Sequence, residues 1–232
     1  MTLPPFINES GRLDHVPPAL MDELWAQGWR HFGSEFFRYS ITADEDGSLQ
    51  YIQPLRLPLA EFRLSKSQRR VLRKNEDLEL RVVPAVVDDE REVMFLRHRE
   101  RFSTNIPDSL STFMPSAQPH TQPCECLSVE VREAGRLIAV SYMDVGTSAV
   151  SSVYAMFEPD AAWRSLGTLT MLEEIRWAAD AGKRWLYPGY ATAQPSHYDY
   201  KKTFRPLECF DWRGSWTPLT ETRPVTAPSP RA

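Results

Sequence analysis

The 232-residue chain is poor in cysteine, with three in all, Cys124, Cys126 and Cys209. Three thiols form no complete disulfide framework, so a reducing compartment is expected. No stretch approaches the ~20 consecutive apolar residues that a membrane helix needs. The first ten residues carry neither a basic n-region nor an apolar run, and a cytoplasmic location is the expectation. A Walker A loop, a dinucleotide fingerprint and a Ser-His-Asp signature are all missing, and His15, His31 and His98 are scattered along the chain. Charge of either sign is in no excess, 27 basic against 31 acidic residues for a net of −4. That balance argues against wrapping nucleic acid over the whole surface, and leaves room for a local basic patch.

What is present suits one globular domain or two small subdomains, since hydrophobic residues make up 42% and charged residues 25%. Pro17 and Pro18 precede a predicted helix over residues 19–28, which Gly28 stops. Phe36, Phe37 and Tyr39 predict a strand. After an acidic turn (residues 43–48), a second strand over 49–59 is expected to close a hairpin with it. The most basic stretch, residues 63–74, predicts a helix begun by Ser65 or Ser67, with Val71 and Leu72 inward and its cations outward. A strand over 78–83 follows. Asp88 and Asp89 then cap a helix running to about Phe102, with Val93 and Leu96 expected on its inner face. After a proline-containing loop, three strands over 127–132, 137–145 and 150–157, joined by short turns, imply an antiparallel meander.

Arg164-Ser-Leu-Gly-Thr168 leads into a helix over 169–181, with Leu169, Leu172, Ile175 and Ala179 as its apolar stripe and Gly182 at its end. A short strand over 185–187 comes next. Strand, helix, meander, glycine turn into helix, strand is the order of the GNAT acyltransferases. The expected fold class is therefore α/β (α+β), GNAT-like, with a mixed and largely antiparallel central sheet. The expected domains are an N-terminal subdomain over 1–75, the acyltransferase domain over 76–219 and a disordered tail over 220–232.

Three stretches could carry chemistry, each with a plain structural alternative. The Arg164–Thr168 turn presents unpaired N–H groups and a positive helix end to an anion or oxyanion. Equally, it is a helix entry that uses glycine for tight packing. Its Arg-x-x-Gly-x-Leu puts Leu169 where coenzyme A-binding turns have a small residue, which weakens that ligand. The cations Arg63, Lys66, Arg69, Arg70, Arg73 and Lys74 line up against phosphates, or form a solvated helix face. The aromatics and lysines from Tyr187 to Pro206 could hold unpaired bases, or form an aromatic cluster at a strand edge. His120-x3-Cys124-x-Cys126 lacks C-x2-C spacing and a second ligand pair, so no metal is expected. Cys124 reads as a loop end and Cys126 as a buried strand residue.

Taken in order, several stretches resemble the arginyl-tRNA–protein transferase family, including its bacterial members that transfer leucine to acidic N-termini. They are Gln27-Gly-Trp-Arg-His-Phe-Gly33; Ser65-Lys-Ser-Gln-Arg-Arg-Val-Leu-Arg-Lys-Asn-Glu-Asp-Leu78; Ser152-Val-Tyr-Ala-Met-Phe-Glu-Pro159; Arg164-Ser-Leu-Gly-Thr168 with Leu172-Glu-Glu-Ile175; and Tyr187-Pro-Gly-Tyr190 with Tyr200-Lys201 and Phe204-Arg-Pro-Leu-Glu208. The resemblance runs from about Leu24 to Trp216. Two departures accompany it. The family's N-terminal cysteine cluster is missing, with no cysteine before Cys124, so metal or iron–sulfur regulation tied to that cluster is expected to be absent. Its Tyr-Leu-Gly-Tyr stands here as Tyr187-Pro-Gly-Tyr190.

The resemblance implies aminolysis of an aminoacyl ester by a protein α-amine. The partners would be charged tRNA and the N-terminus of an acceptor protein, with no membrane, no DNA and no cofactor. It implies that N–H groups at Leu166 and Gly167 bind the carbonyl oxygen or the terminal ribose-phosphate, beside Arg164 and Ser165. Arg69, Arg70, Arg73 and Lys201 would hold tRNA phosphates. Tyr154, Tyr190 and Tyr200 would line the aminoacyl pocket, and Asp144 would take the amine proton or pair with the donor's charge. Arg205 or Arg56 would meet an acidic acceptor. A coenzyme A-dependent acyltransferase and a binding module without turnover are the alternatives.

Overall fold

The computed structural model describes residues 4–43, 47–102, 106–114, 117–194 and 197–219. The tail expected to be disordered, and the acidic residues 44–46, lie outside them. Three short strands, β1 (Asn8–Arg12), β2 (Arg30–Phe32) and β3 (Glu35–Tyr39), form a small sheet in the order β1-β3-β2. Helix α1 (Pro18–Ala26) joins the first two; it starts on a proline, as pre-set φ favours, and ends before Gly28 at φ +82°. Its Met21 and Trp25 bury against Phe36 and Tyr187.

The strand β5 (Leu49–Pro58) is paired by the short β4 (Ile41–Ala43), so the expected hairpin forms one element later than the sequence suggested. β3 goes instead to the small sheet. β5 itself lies inside the main sheet, between later strands. The expected boundary at residue 75 therefore cuts through a continuous sheet, and the separate N-terminal unit is only the β1–β3 sheet with α1.

Helix α2 (Lys66–Lys74) begins at Ser65, whose hydroxyl accepts from the Gln68 N–H while the Gln68 side chain accepts from the Ser65 N–H, a complete capping box. After β6 (Glu79–Pro84), α3 (Asp89–Arg99) is capped by Asp88. Its inner face is not the expected one: Val93 and Leu96 are exposed, while Arg91, Met94, Phe95 and His98 are buried. Arg91 turns in because Asp88 and the buried Glu130 pair with it, and the aromatic and thioether side chains fill the space beside them.

The meander β7 (Cys126–Glu133), β8 (Arg136–Val145) and β9 (Ala149–Phe157) is antiparallel throughout. Helix α4 (Leu166–Asp180) packs across it, with Leu169 in one cluster and Leu172, Ile175 and Ala178 in the next, while Ala179, expected on the apolar stripe, is exposed. Full burial of one such leucine stabilises the fold by about 1.5–3 kcal/mol. Then come β10 (Trp185–Thr192), β11 (Glu208–Phe210) and β12 (Trp216–Pro218). The nine-stranded sheet runs β12-β11-β5-β10-β9-β8-β7-β6, with β4 on β5. It is mixed and largely antiparallel, in the GNAT-like order expected.

Candidate active site

β9 and β10 run parallel, and they do not stay together. They pair over Ala149–Ser151 and Trp185–Tyr187 only. On its other side β10 stays on β5 along its whole length, from Trp185 on Pro58 to Thr192 on Ile52, with a register shift between Leu186 and Gly189. Beyond Ser151 the β9 edge facing β10 therefore has no ladder partner, and a V opens between the two strands. Backbone groups left without a ladder partner inside a sheet must find another.

Two cations and a carboxyl group meet in this V. Arg30, from β2, donates to the Ser151 hydroxyl and to the Ser152 carbonyl. Lys201 donates to the Tyr190 carbonyl at 3.2 Å. Glu174, on the inward face of α4, is 1% exposed and accepts from the Ser152 hydroxyl, with Ser141 beside it. Gly189, at φ +95°, gives the space: a β-carbon there would lie 3.2 Å from Lys201 Nζ and 3.5 Å from Arg30 Nη2. Only glycine reconciles that backbone with two cations so near.

The shared burial displaces their proton affinities. Desolvation lowers Lys201 from 10.5 to about 7, and the neighbouring Arg30 charge pushes the same way, against the pull of Glu174. Desolvation raises Glu174 from 4.5 to about 7, against its hydroxyl partners and Arg30, with Asp144 adding to the rise. A carboxyl group poised near neutrality in a cleft is suited to proton transfer.

The expected site residues distribute unevenly about this centre. Tyr190 sits at the V, its hydroxyl donating to the Gly28 carbonyl at 2.6 Å. Tyr200 neighbours Lys201 and is exposed. Tyr154 packs elsewhere, stacked on Phe113 at 4.1 Å between centroids and beside Phe95 of α3. Lys201 belongs with Arg30 and not with the phosphate-holding cations, because its side chain turns into the V.

Asp144 is buried, with His31 Nε2 2.8 Å from its carboxylate and the thiols of Cys124 and Cys126 against it. It reaches the V through its field on Arg30 and Glu174. Arg56 lies between Trp185 and Trp216 and pairs with Glu208 at 2.5 Å, so its charge is taken. Arg205 is exposed, with a 3.4 Å bond to the Leu219 carbonyl.

The glycine turn is partly corrected. Arg164 is not free for an anion: its guanidinium binds Asp77 at 2.8 Å and Glu133 at 2.5 Å, and its side chain is 8% exposed. Ser165 takes φ +60° at the head of α4, and Leu166 packs into the core. The Leu166 and Gly167 N–H groups stand at the helix start, where no intrahelical acceptor exists. Gly167 precedes Glu174 by seven residues, about 10 Å along a helix at 1.5 Å per residue. One reacting carbonyl does not reach both the turn and Glu174.

The basic face lies on a helix tied to the turn that carries Lys201. Lys66, Arg69, Arg70, Arg73 and Lys74 are all exposed on α2. Gln68, on the same helix, donates to the Thr203 carbonyl at 3.5 Å. That bond sets α2 beside the turn that delivers Lys201.

Sequence reading missed Arg30, Glu174 and Gly189. Two signals were available. Glu173-Glu174 interrupts an apolar helix face, and Arg30 lies inside the glycine-flanked segment from Gly28 to Gly33.

Comparison with known proteins gives the following. Residues 90–211 match the family model described as "Arginine-tRNA-protein transferase, C terminus". The aspartate/glutamate leucyltransferase of Stenotrophomonas maltophilia (strain R551-3) is 34% identical over 166 residues, 68% of this chain and 66% of that protein. That of Xanthomonas campestris pv. campestris (strain B100) is 36% identical over 171 residues, covering 69% and 68%. Over 201 residues the Shewanella sp. (strain MR-4) leucyltransferase is 31% identical, covering 86% and 82%. Among solved structures, one titled "C-terminal Domain (DUF2156) of Putative Lysylphosphatidylglycerol Synthetase from Agrobacterium fabrum" overlays with a TM-score of 0.49 at 16% identity, over 81% of this chain and 56% of that one.

Proposed function

The chain belongs to the arginine-tRNA–protein transferase family of aminoacyl-tRNA–protein transferases, and on that premise we propose that it moves leucine from leucyl-tRNA to proteins whose first residue is aspartate or glutamate. The observation that supports the acidic acceptor is the approach of Arg30 and Lys201 over Gly189. Two cations converging on one point favour a carboxylate ligand. The leucine donor and the pair of acceptors are carried over from the names of the relatives.

In this reading the acceptor's side-chain carboxylate sits on Arg30 and Lys201, which brings its α-amine against Glu174. A free α-amine has a pKa of about 7.7–8.0, so a sizeable fraction is neutral at neutral pH. The amine nitrogen attacks the ester carbonyl, and open N–H groups on the β9 edge take the developing oxyanion. Glu174 accepts the amine proton. As the tetrahedral species collapses, the bond from carbon to the ribose oxygen breaks and that oxygen takes the proton. Ester becomes amide, a downhill exchange in which holding the two reactants together is the main task. The exposed cations of α2 hold acceptor-stem phosphates, and the N–H groups of Leu166 and Gly167 hold a phosphate near the 3′ end.

The test is direct. Purified protein is incubated with leucyl- or arginyl-tRNA and peptides that begin with Asp, Glu or Ala. Addition of one leucine to the Asp and Glu peptides alone is the expected product. Addition of arginine would reassign the donor, and no addition from any charged tRNA would remove the activity.

A further inference from the structure

Behind the V, three buried groups of different chemistry converge from distant parts of the chain. His31 comes from β2, Cys124 from the segment before β7, and Asp144 from β8. Their nearest ligand atoms, an imidazole nitrogen, a thiol sulfur and a carboxylate oxygen, all lie within 4.8 Å of one another. The thiol of Cys126, which faces Asp144 across the β7–β8 ladder, lies against the same carboxylate.

The orientation of His31 is what distinguishes this cluster from an ordinary buried histidine. Its Nδ1 is 2.9 Å from the Gly33 carbonyl, which only accepts, so the hydrogen-bond network assigns the hydrogen to Nδ1. Nε2 then faces an Asp144 oxygen at 2.8 Å. In a neutral imidazole those are two lone pairs pointing at each other, and an electropositive centre must lie between them. A proton fills that place, and so does a metal ion. A backbone carbonyl on Nδ1 with Nε2 left for the ion is the arrangement that orients metal-bound histidines.

We propose that His31 Nε2, Cys124 Sγ and Asp144 bind one zinc-class divalent cation, with Cys126 Sγ as the fourth donor. One nitrogen, one carboxylate oxygen and two sulfurs suit the tetrahedral preference and borderline softness of zinc. Binding releases the thiol protons to solvent, because the coordinating form is the thiolate. A path exists: an open cavity of about 640 Å³ reaches Cys124 and Cys126, and His15, His120 and Glu125 line it. The ion would tie the small N-terminal sheet to β7 and β8, one residue from Arg30. The pattern was illegible in the sequence, since the nearest histidine to the cysteines in the chain is His120 and the one that meets them in space is His31.

The test uses the full chain and Co²⁺ or Zn²⁺ alone. Wild-type protein is expected to retain one equivalent after desalting, and its Co²⁺ form to show a thiolate-to-metal charge-transfer band. Cys124→Ser loses that band, and Cys209→Ser keeps it. A second measurement needs no variant: Zn²⁺ slows alkylation of Cys124 and Cys126 in the wild-type chain and leaves Cys209 unchanged. Failure of wild type to retain an equivalent, a band that survives Cys124→Ser, or the absence of selective protection would each overturn the site and leave a proton between His31 and Asp144.

Discussion

Arg30 and Lys201 close on the same point above Gly189, 3.5 Å and 3.2 Å from where a β-carbon would stand. One comes from the small N-terminal sheet and the other from the turn after β10, so the site exists only where those two units meet. Gly189→Ala tests the relationship. Its methyl group would enter the space between the cations at φ +95°, a strain of about 1–3 kcal/mol. The expected result is a fold intact by circular dichroism, with kcat/KM for an acidic acceptor lowered by at least about tenfold.

The two shifted groups give the reaction a pH signature. The proposed mechanism requires Lys201 charged and Glu174 ionised, and both titrate near 7. The profile of kcat/KM should be a bell around neutral pH whose limbs belong to the coupled pair. Lys201→Arg should move the basic limb upward, because guanidinium keeps its proton. A profile that is flat from pH 6 to 9 would remove both assignments.

The same groups affect stability with opposite signs. Lys201 has a lowered pKa in the fold, so the unfolded chain binds more protons between about 7 and 10.5, and this group's contribution improves as pH rises through that window. Glu174 has a raised pKa, so the fold binds more protons between 4.5 and about 7, and its contribution declines as pH rises there. Lys201→Met should therefore raise Tm at pH 7 and below, with the gain fading toward pH 10.5. Scanning calorimetry across pH is the check.

In the proposed mechanism the α2 cations act on phosphates and not on chemistry. Replacing Arg69, Arg70 and Arg73 by Ala removes three exposed charges. The slope of log affinity for tRNA against log salt should fall by roughly 2–3. Saturating tRNA should restore kcat.

Arg164 should behave in the opposite way. It is held by Asp77 and Glu133 at the head of α4. Arg164→Ala should lower Tm and leave the salt slope of tRNA binding unchanged. A reduced slope would return Arg164 to the tRNA site.

The sequence revealed elements better than partners. The meander, α4 and the capped α2 were legible because period 2, period 3.6 and a serine cap are local signals. β5 was misplaced because strand propensity says nothing of which strand lies alongside. The face of α3 was misread because Arg91 is inward only by virtue of Glu130, 39 residues away. Lys201 was grouped with the surface cations for the same reason: its burial depends on Arg30 and Gly189, which no local pattern connects to it. Glu174 sat in plain view on an apolar helix, where a carboxyl group is retained only with partners.

The central claim is that the Arg30–Lys201 pair reads an acidic first residue. The measurement that tests it most directly is the ratio of kcat/KM for two peptides, one beginning with Asp and one with Asn, in wild type and in Lys201→Met. These peptides differ by a charge at nearly constant shape. A large preference for Asp in the wild type that falls by about tenfold or more in the variant is the predicted result. An equal preference in both proteins would contradict it.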